Sequence, residues 1–367
     1  MPFLPEEIIR NILTKLPVKT LIRSRCVCKH WKNLIRSPSF ISDHLHHSST
    51  HQNPSLLLER DYDLWLLDCK MQLHEVRIAP LLDSPSTFHI VGSSNGLLCV
   101  RVGRDCEFYP YILLWNPATR EVRQLPPNTP NTKGVHLPLS IGFGFSPVIN
   151  DYKVVITYHN MKGINFDPVS PYSLLVVVYS LSSGSWKKVE FGVKNFVLVY
   201  ESVTMNGIMF LSGRVRNPDT NTYYNAIVSF DLASELFTLI PTPDWCTSTY
   251  TLTMYENKLA VLSFFATQDS ESLIELSVME DGSGASWAKK YSSSCLIPSV
   301  VRPMMMTVWM NQIVCDGSER ECYQEPRITL LNISTNELKT FNISQCGRGT
   351  GCRFILHHTE SLVPIGE

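Results

Sequence analysis

The sequence predicts two unlike parts: a small all-α head of three short helices, then an all-β propeller of six blades closed by its C-terminal strand. Three observations predict this. Residues 1–40, MPFLPEEIIRNILTKLPVKTLIRSRCVCKHWKNLIRSPSF, space their apolar side chains at helical intervals. Beyond residue 55, short runs of Val, Ile, Leu, Phe and Tyr alternate with Gly, Asn, Ser and Asp turns, and no long helical pattern interrupts them. Within that region a two-strand unit returns about every 50 residues, the spacing of propeller blades of the kelch sort.

The head reads in order. Pro5 suits the first position of a helix, and Glu6 and Glu7 complement its positive end. Ile8, Ile9, Ile12, Leu13 and Leu16 make one broad apolar face, and Leu16-Pro17 ends the helix. A second helix fits Val18 to Arg23. A third fits Arg25 to Arg36, with Val27, Trp31, Leu34 and Ile35 on one side, and Pro38 stops it. So short a segment cannot bury this much apolar surface alone, so it must dock on the rest of the chain or on a partner. The polar stretch that follows, Asp43-His44-Leu45-His46-His47-Ser48-Ser49-Thr50-His51, reads as a linker with solvated histidines.

Charge is uneven. Residues 1–40 hold eight Lys and Arg against two Glu, +6, so the remainder carries −7 within a total of −1. Lys and Arg alternate here with buried-type residues instead of clustering, which disfavours nucleic acid or membrane contact. An acidic protein surface is the partner such a head suits, with charge orienting the encounter.

In the remainder the recurring unit is an apolar strand, a polar turn and a second strand. Copies are WLLDCKMQLHEVRI (65–78), LLWNPATREVRQLP (113–126), VVYSLSSGSWKKVE (177–190), VSFDLASELFTLIP (228–241), LSVMEDGSGASWAKKY (276–291) and LLNISTNELKTFNI (330–343). Before most copies stands an element read as an inner strand entered through an Asn turn: SSNGLLCV (93–100), TMNGIMFL (204–211), TMYENKLAVL (253–262) and TVWMNQIVC (307–315). FILHHTESLVPI (354–365) resembles that element with nothing following it, whereas the first copy lacks one. The last strand is therefore expected to complete the first blade and close the ring. A seventh blade within 126–176 and a two-sheet sandwich are the structural alternatives.

Composition, 367 residues with 44% hydrophobic and 18% charged, describes an ordinary globular chain with room for a small module and one large domain. Glu6, Glu7 and Arg10 break what a secretory leader would need, and no apolar run of ~18 residues predicts a membrane-spanning helix. Eleven cysteines without zinc-site spacing read as reduced thiols, which implies a cytoplasmic or nuclear home. The glycosylation pattern at Asn332 and Asn342 is then expected to be empty.

The run LPEEIIRNILTKLPVKTLIRSRCVCKHWKNLIRSPSFI resembles an F-box. Its marks are Leu4-Pro5, Ile12-Leu13, Leu16 to Lys19, Leu21, Arg25, Val27-Cys28, Trp31 and Pro38. WNPATREVRQLP, GFGFSPVINDYKVV (142–155), VVYSLSSGSWKKV, VSFDLASELFTLIP and ESLVPI resemble the plant F-box-associated interaction domain of F-box/kelch-like and S-locus F-box proteins. The resemblance implies an F-box at 1–45, a linker at 46–54 and a propeller at 55–367. It also implies a Skp-type adaptor, and through it a cullin–RING ligase, bound by Leu4, Pro5, Ile8, Ile12, Leu13, Leu16, Pro17, Leu21, Val27, Cys28 and Trp31. Ile9, Leu34 and Ile35 are expected only to hold the helices together. The propeller rim would hold an unidentified target protein, through the long Pro/Asn-rich excursions at 126–138, 160–172 and 214–225.

Catalysis finds no support in the residues. Gly284-Ala285-Ser286-Trp287 lacks the serine and aspartate register of a sialidase box, and Gly347-Arg348-Gly349-Thr350-Gly351 lacks the Lys-Ser/Thr of a phosphate loop. No cofactor or metal is expected; Cys315/Cys322 and Cys346/Cys352 lack zinc-site spacing. Two rival readings remain: an adaptor-bound glycan or small-ligand propeller, for which Trp115, Trp186, Trp245 and Trp309 could line a pocket, and a freestanding propeller hydrolase with a carboxylate or metal cluster.

Overall fold

Prolines set the start of three of the four helices at the head of the chain. In the computed structural model, residues 4–51, 55–60, 63–78, 88–103, 111–128, 136–160, 174–243, 250–266, 272–280, 286–295, 306–316, 327–342 and 354–366 are described. Helix α1 spans Glu6–Thr14 and α2 Val18–Ser24. Pro5 and Pro17 sit just outside them as caps, one residue earlier than expected for Pro5. Their carbonyls accept the first helical bonds, from Ile8 N at 3.0 Å and from Thr20 N at 2.9 Å. Helix α3, Lys29–Arg36, begins at Cys28, whose Sγ accepts from Trp31 N at 3.4 Å.

A fourth helix, α4 (Pro38–His51), occupies the stretch expected to be a linker. Pro38 does end α3, but it also opens α4: Ser37 Oγ accepts from Phe40 N at 3.3 Å, a serine cap followed by proline at the first helical position. Phe40, His44 and Ser48 then lie buried at four-residue spacing. The expectation of solvated histidines is wrong for His44, because it belongs to this buried stripe.

Six four-stranded sheets follow, the six blades of a propeller. The first holds β1 (Ser55–Arg60), β2 (Asp63–Leu67) and β3 (Leu73–Val76). The second holds β4 (Phe88–Ser94), β5 (Leu97–Val102), β6 (Tyr111–Asn116) and β7 (Glu121–Gln124). The third runs β8 (His136–Ser146), β9 (Asp151–Asn160), β10 (Leu174–Ser180) and β11 (Ser185–Val189). The fourth runs β12 (Phe196–Met205), β13 (Ile208–Arg216), β14 (Tyr223–Asp231) and β15 (Phe237–Pro241). The fifth is β16 (Tyr250–Tyr255), β17 (Lys258–Ala266), β18 (Ser272–Met279) and β19 (Trp287–Cys295). The sixth is β20 (Met306–Trp309), β21 (Gln312–Asp316), β22 (Arg327–Asn332) and β23 (Leu338–Asn342). The last strand, β24 (Phe354–His358), lies beside β1 and completes the first blade. The region 126–176 contributes β8 and β9 to the third blade, so it holds no seventh.

The shared Asn-turn elements are hairpins between the first and second strands of a blade, not entries into the first strand. Asn95-Gly96, Asn206-Gly207, Glu256-Asn257 and Met310-Asn311 each take positive φ at both positions, the two-residue turn that matches strand twist. The recurring polar turn joins the third and fourth strands. Its leading Asn or Asp caps the turn: Oδ1 of Asn116, Asp231 and Asn332 each accepts two backbone N–H bonds. In the third blade Ser180 stands there instead, and Asp151 of β9 supplies the acceptor to Ser182 N at 2.9 Å.

The chain divides into two compact units. In one, comprising residues 1–102, 111–125 and 356–367, a core of Leu57, Leu64, Phe88, Ile90, Leu98 and Trp115 joins the first two blades beside the helical head. In the other, comprising 103–110 and 126–355, successive blades pack through apolar layers, with Val176, Phe196, Leu211 and Phe230 between the third and fourth. Trp287 Nε1 donates to Pro241 O at 3.0 Å, tying the outer strand of the fifth blade to that of the fourth.

The GFGF run in β8 alternates large and absent side chains. Phe143 stacks on Tyr152 with ring centroids at 5.9 Å, and Phe145 packs tilted against it at 4.7 Å. Gly142 and Gly144 point the other way, where a Cβ would overlap Met209 Sδ and Thr204 Cγ2 of the next blade. Thr204 is β-branched and stiff, whereas Met209 can move. Gly144→Ala should therefore lower stability by about 1–3 kcal/mol, and Gly142→Ala by less. A fall in the urea midpoint at unchanged slope would record it, and equal midpoints for Gly144→Ala and wild type would refute it.

Candidate protein-docking face

The helical head divides its apolar residues between an inside and an outside. Leu13, Val18, Leu21, Leu34, Ile35 and Phe40 form its interior, closed by Leu362 from beyond β24 and by Ala118 from the β6–β7 turn. Outside, on α1 and just before it, Leu4, Ile8 and Ile12 recur every four residues and are 56, 46 and 49% exposed. Val27, at 64% exposed, stands in the turn before α3 beside exposed Cys28, and Pro5 and Pro17 are exposed as well. Leu16 and Trp31 are half-buried, each packing on the interior with the rest of its surface open.

Two of the expected contact residues need correction. Leu13 and Leu21 are 1% and 0% exposed, so they hold the head together and offer nothing to a partner. Their period explains the difference: Leu13 lies one position past Ile12, which turns it about 100° around the helix toward α2 and α4. Leu34 and Ile35 are interior, as expected, and Ile9 packs against the same cluster.

Charge frames the exposed face. Lys15, Lys19, Arg23, Lys29, Lys32 and Arg36 are all exposed. Arg10 is not available, because it bonds Asp43 of α4 through Nε at 3.0 Å. Arg25 is held below its ordinary pKa by burial and by the neighbouring Arg36, while Glu121 of β7 opposes that shift.

His44 reaches from α4 to the end of α1, its Nε2 3.0 Å from the Leu16 carbonyl. Burial holds its pKa below the ordinary histidine range; that hydrogen bond pulls the other way, and His47 lowers it further. The neutral ring therefore donates to Leu16 and fixes where Leu16 sits.

The propeller residues weighed as ligand sites fare differently. Trp115 and Trp309 are buried in blade cores, and Trp186 Nε1 donates to Pro126 O at 2.8 Å. The 214–225 excursion is largely strand: Arg216 pairs with Tyr223, and a six-residue turn between them is tied by Asn217 N donating to Thr222 O at 2.8 Å. Of the 126–138 and 160–172 excursions, residues 129–135 and 161–172 lie outside the described residues, as do Trp245, Gly284, Ala285, Cys322, Cys346, Cys352 and Gly347–Gly351. Among the described residues, no three His, Cys, Asp or Glu side chains are grouped to hold a metal ion. Cys26, Cys28, Cys69 and Cys99 are free thiols, and burial pushes the Cys99 thiol far up.

The family described as F-box domain matches residues 1–43, and that described as F-box associated beta propeller domain matches residues 44–361. The chain belongs to the F-box proteins with an F-box-associated propeller. Among its Arabidopsis thaliana relatives, F-box protein CPR1 is 29% identical over 272 residues, covering 66% of this chain and 61% of its own. F-box protein At1g30790 is 27% identical over 316 residues, 80% of this chain and 75% of its own. F-box protein At3g07870 is 27% identical over 340 residues, 84% and 77% respectively. The helical head is thus the F-box, and the exposed stripe of α1 lies within it.

Two histidines make the fold acid-sensitive. Full burial pushes His358 of β24 down to about 4, its Nδ1 lying 3.1 Å from Ser93 Oγ. In the unfolded chain both His44 and His358 take up a proton near pH 6.5, while the folded state resists, so the unfolded state binds more protons and stability rises with pH. Stability should be full above about pH 7 and fall as pH drops below 6.5, by on the order of 3 kcal/mol for His358 by pH 4. Melting temperature from pH 7.5 to 5 tests this; a profile no flatter in His358→Gln than in wild type would contradict it.

Proposed function

We propose that this F-box protein is the substrate-recognition subunit of an SCF-type ubiquitin ligase. Its F-box binds a Skp-type adaptor, and its propeller holds a target protein for ubiquitination. One observation carries the reading: Leu4, Ile8, Ile12 and Val27 are exposed on a module whose interior is already filled. Large apolar side chains on one helix face suit a groove on a partner protein, where a few anchors supply most of the affinity. The surrounding cations suit an acidic rim on that partner and speed its encounter.

The chain's contribution to the reaction is proximity. A receptor that holds its target beside a charged conjugating enzyme raises the effective concentration of the reacting groups, and the chemistry itself falls to other subunits. The chain is a non-catalytic receptor in this reading, working in the cytoplasm or nucleus. Its propeller rim would take the target.

Ile8→Glu combined with Ile12→Glu should abolish capture of a Skp-type adaptor while leaving the melting temperature within a degree or two of wild type. Leu21→Ala should instead destabilise the F-box by about 2–5 kcal/mol. Trp31→Ala should weaken adaptor binding by roughly thirtyfold, if it behaves as a central anchor. Pull-down and calorimetry with purified adaptor measure these. Full adaptor binding by the double Glu variant would end the ligase reading.

A further inference from the structure

The propeller is complete before the chain ends. β24 takes its place in the first blade by His358, and sheet closure asks nothing of the residues beyond it. Residues 359–365 nevertheless lie in an ordered course between the F-box and the second blade. Ser361, Leu362, Val363 and Ile365 are all buried there.

Each side of this segment is held by a different partner. On the F-box side, Leu362 inserts among Leu13, Val18, Leu21, Leu34, Ile35 and Phe40. On the blade side, Asn116 is the hub. Its Nδ2 donates to Ser361 O at 3.1 Å and Val363 O at 2.8 Å, while its Oδ1 accepts from Ala118 and Thr119 within its own turn. That uses every hydrogen-bonding position of a fully buried amide. Ser361 Oγ donates to Asn95 O at 2.5 Å, and Ile365 N donates to Glu121 Oε2 at 2.9 Å. Gly96 completes the seat: its φ is +79°, and a Cβ there would overlap Ser361 Oγ and stand 2.7 Å from Thr359 O.

We infer that residues 359–365 are a coupling strap that fixes the F-box on the turns of the second blade. Without residues 359–365, the four-helix head would be joined to the blades through α4 and the small apolar contact of Ala118 alone. The strap adds an attachment made of one apolar anchor into the head and a set of buried hydrogen bonds to the β4–β5 turn, the end of β6 and β7. The orientation of the exposed α1 face relative to the second blade is thereby set by residues 359–365. In a ligase receptor, a point that rests on the proposed function, this fixes the direction in which the adaptor leaves the propeller.

Hydrogen exchange on the full-length chain tests the strap from both sides. Leu362→Asp puts a charge into the F-box interior, whereas Gly96→Ala displaces the strap without altering any F-box residue. In each variant the Val363 and Ile365 amides should exchange at least tenfold faster than in wild type, with faster exchange in α2 and α4. Leu362→Met should keep wild-type rates, and β12 to β18 should be unchanged throughout. Loss of protection in β12 to β18 would mark a variant that fails to fold, and Gly96→Ala then decides. The inference fails if the helices keep wild-type protection in both variants, or if the wild-type strap amides exchange like a free chain. Capture of purified Skp-type adaptor, read in parallel, is separate: its failure in wild type would remove the ligase reading and leave the exchange result standing.

Discussion

The placement of β24 beside β1 is the constraint from which the rest follows. A propeller whose first blade is finished by the last strand brings the two ends of the chain together, so residues separated by nearly the whole sequence become neighbours. Closure also gives every blade four strands, so the edges left are the short outer ones of each blade. Here it has a second effect. It delivers Leu362 to the F-box, where a cluster otherwise built from residues 13–40 would be left open on one side.

The apolar surplus of the head is thus resolved in two directions. Part is buried internally against Leu362 and Ala118, and part stays in water as Leu4, Ile8, Ile12 and Val27. Exposing several large aliphatic side chains on one small module has a cost in the free chain, and such exposure is the usual mark of an interaction site. Filling the interior from within the chain is what makes that exposure compatible with a folded head. A module that needed its partner to complete its core would couple folding to binding and lose affinity to the ordering of its helices.

Much of this was legible in the sequence because it rests on local rules. Helical spacing on α1 and α3, and Asn or Asp at the head of the recurring turn, are decided within a few residues. Of the residues the family resemblance assigned to docking, Leu4, Pro5, Ile8, Ile12, Pro17, Val27 and Cys28 are exposed, whereas Leu13 and Leu21 are interior. Helix α4 was missed although Ser37-Pro38 announces it, because the polar, histidine-rich stretch after Leu45 outweighed a two-residue capping signal. The Asn turns were assigned to the wrong end of the first strand, since a symmetric hairpin reads alike from either side.

By itself, then, the sequence determined the first three helices of the head, the recurring two-strand units and a six-blade ring as the favoured count, that the last strand closes the first blade, and that the head carries more apolar surface than it can bury alone. Only the tertiary structure decided which of those apolar residues face inward, why His44 is buried, and what residues beyond His358 are for. The reason is range. Helical period and turn chemistry act over about four residues, whereas burial of Leu362 beside Leu13 and Leu21 depends on a contact across almost the entire chain, which no local pattern encodes.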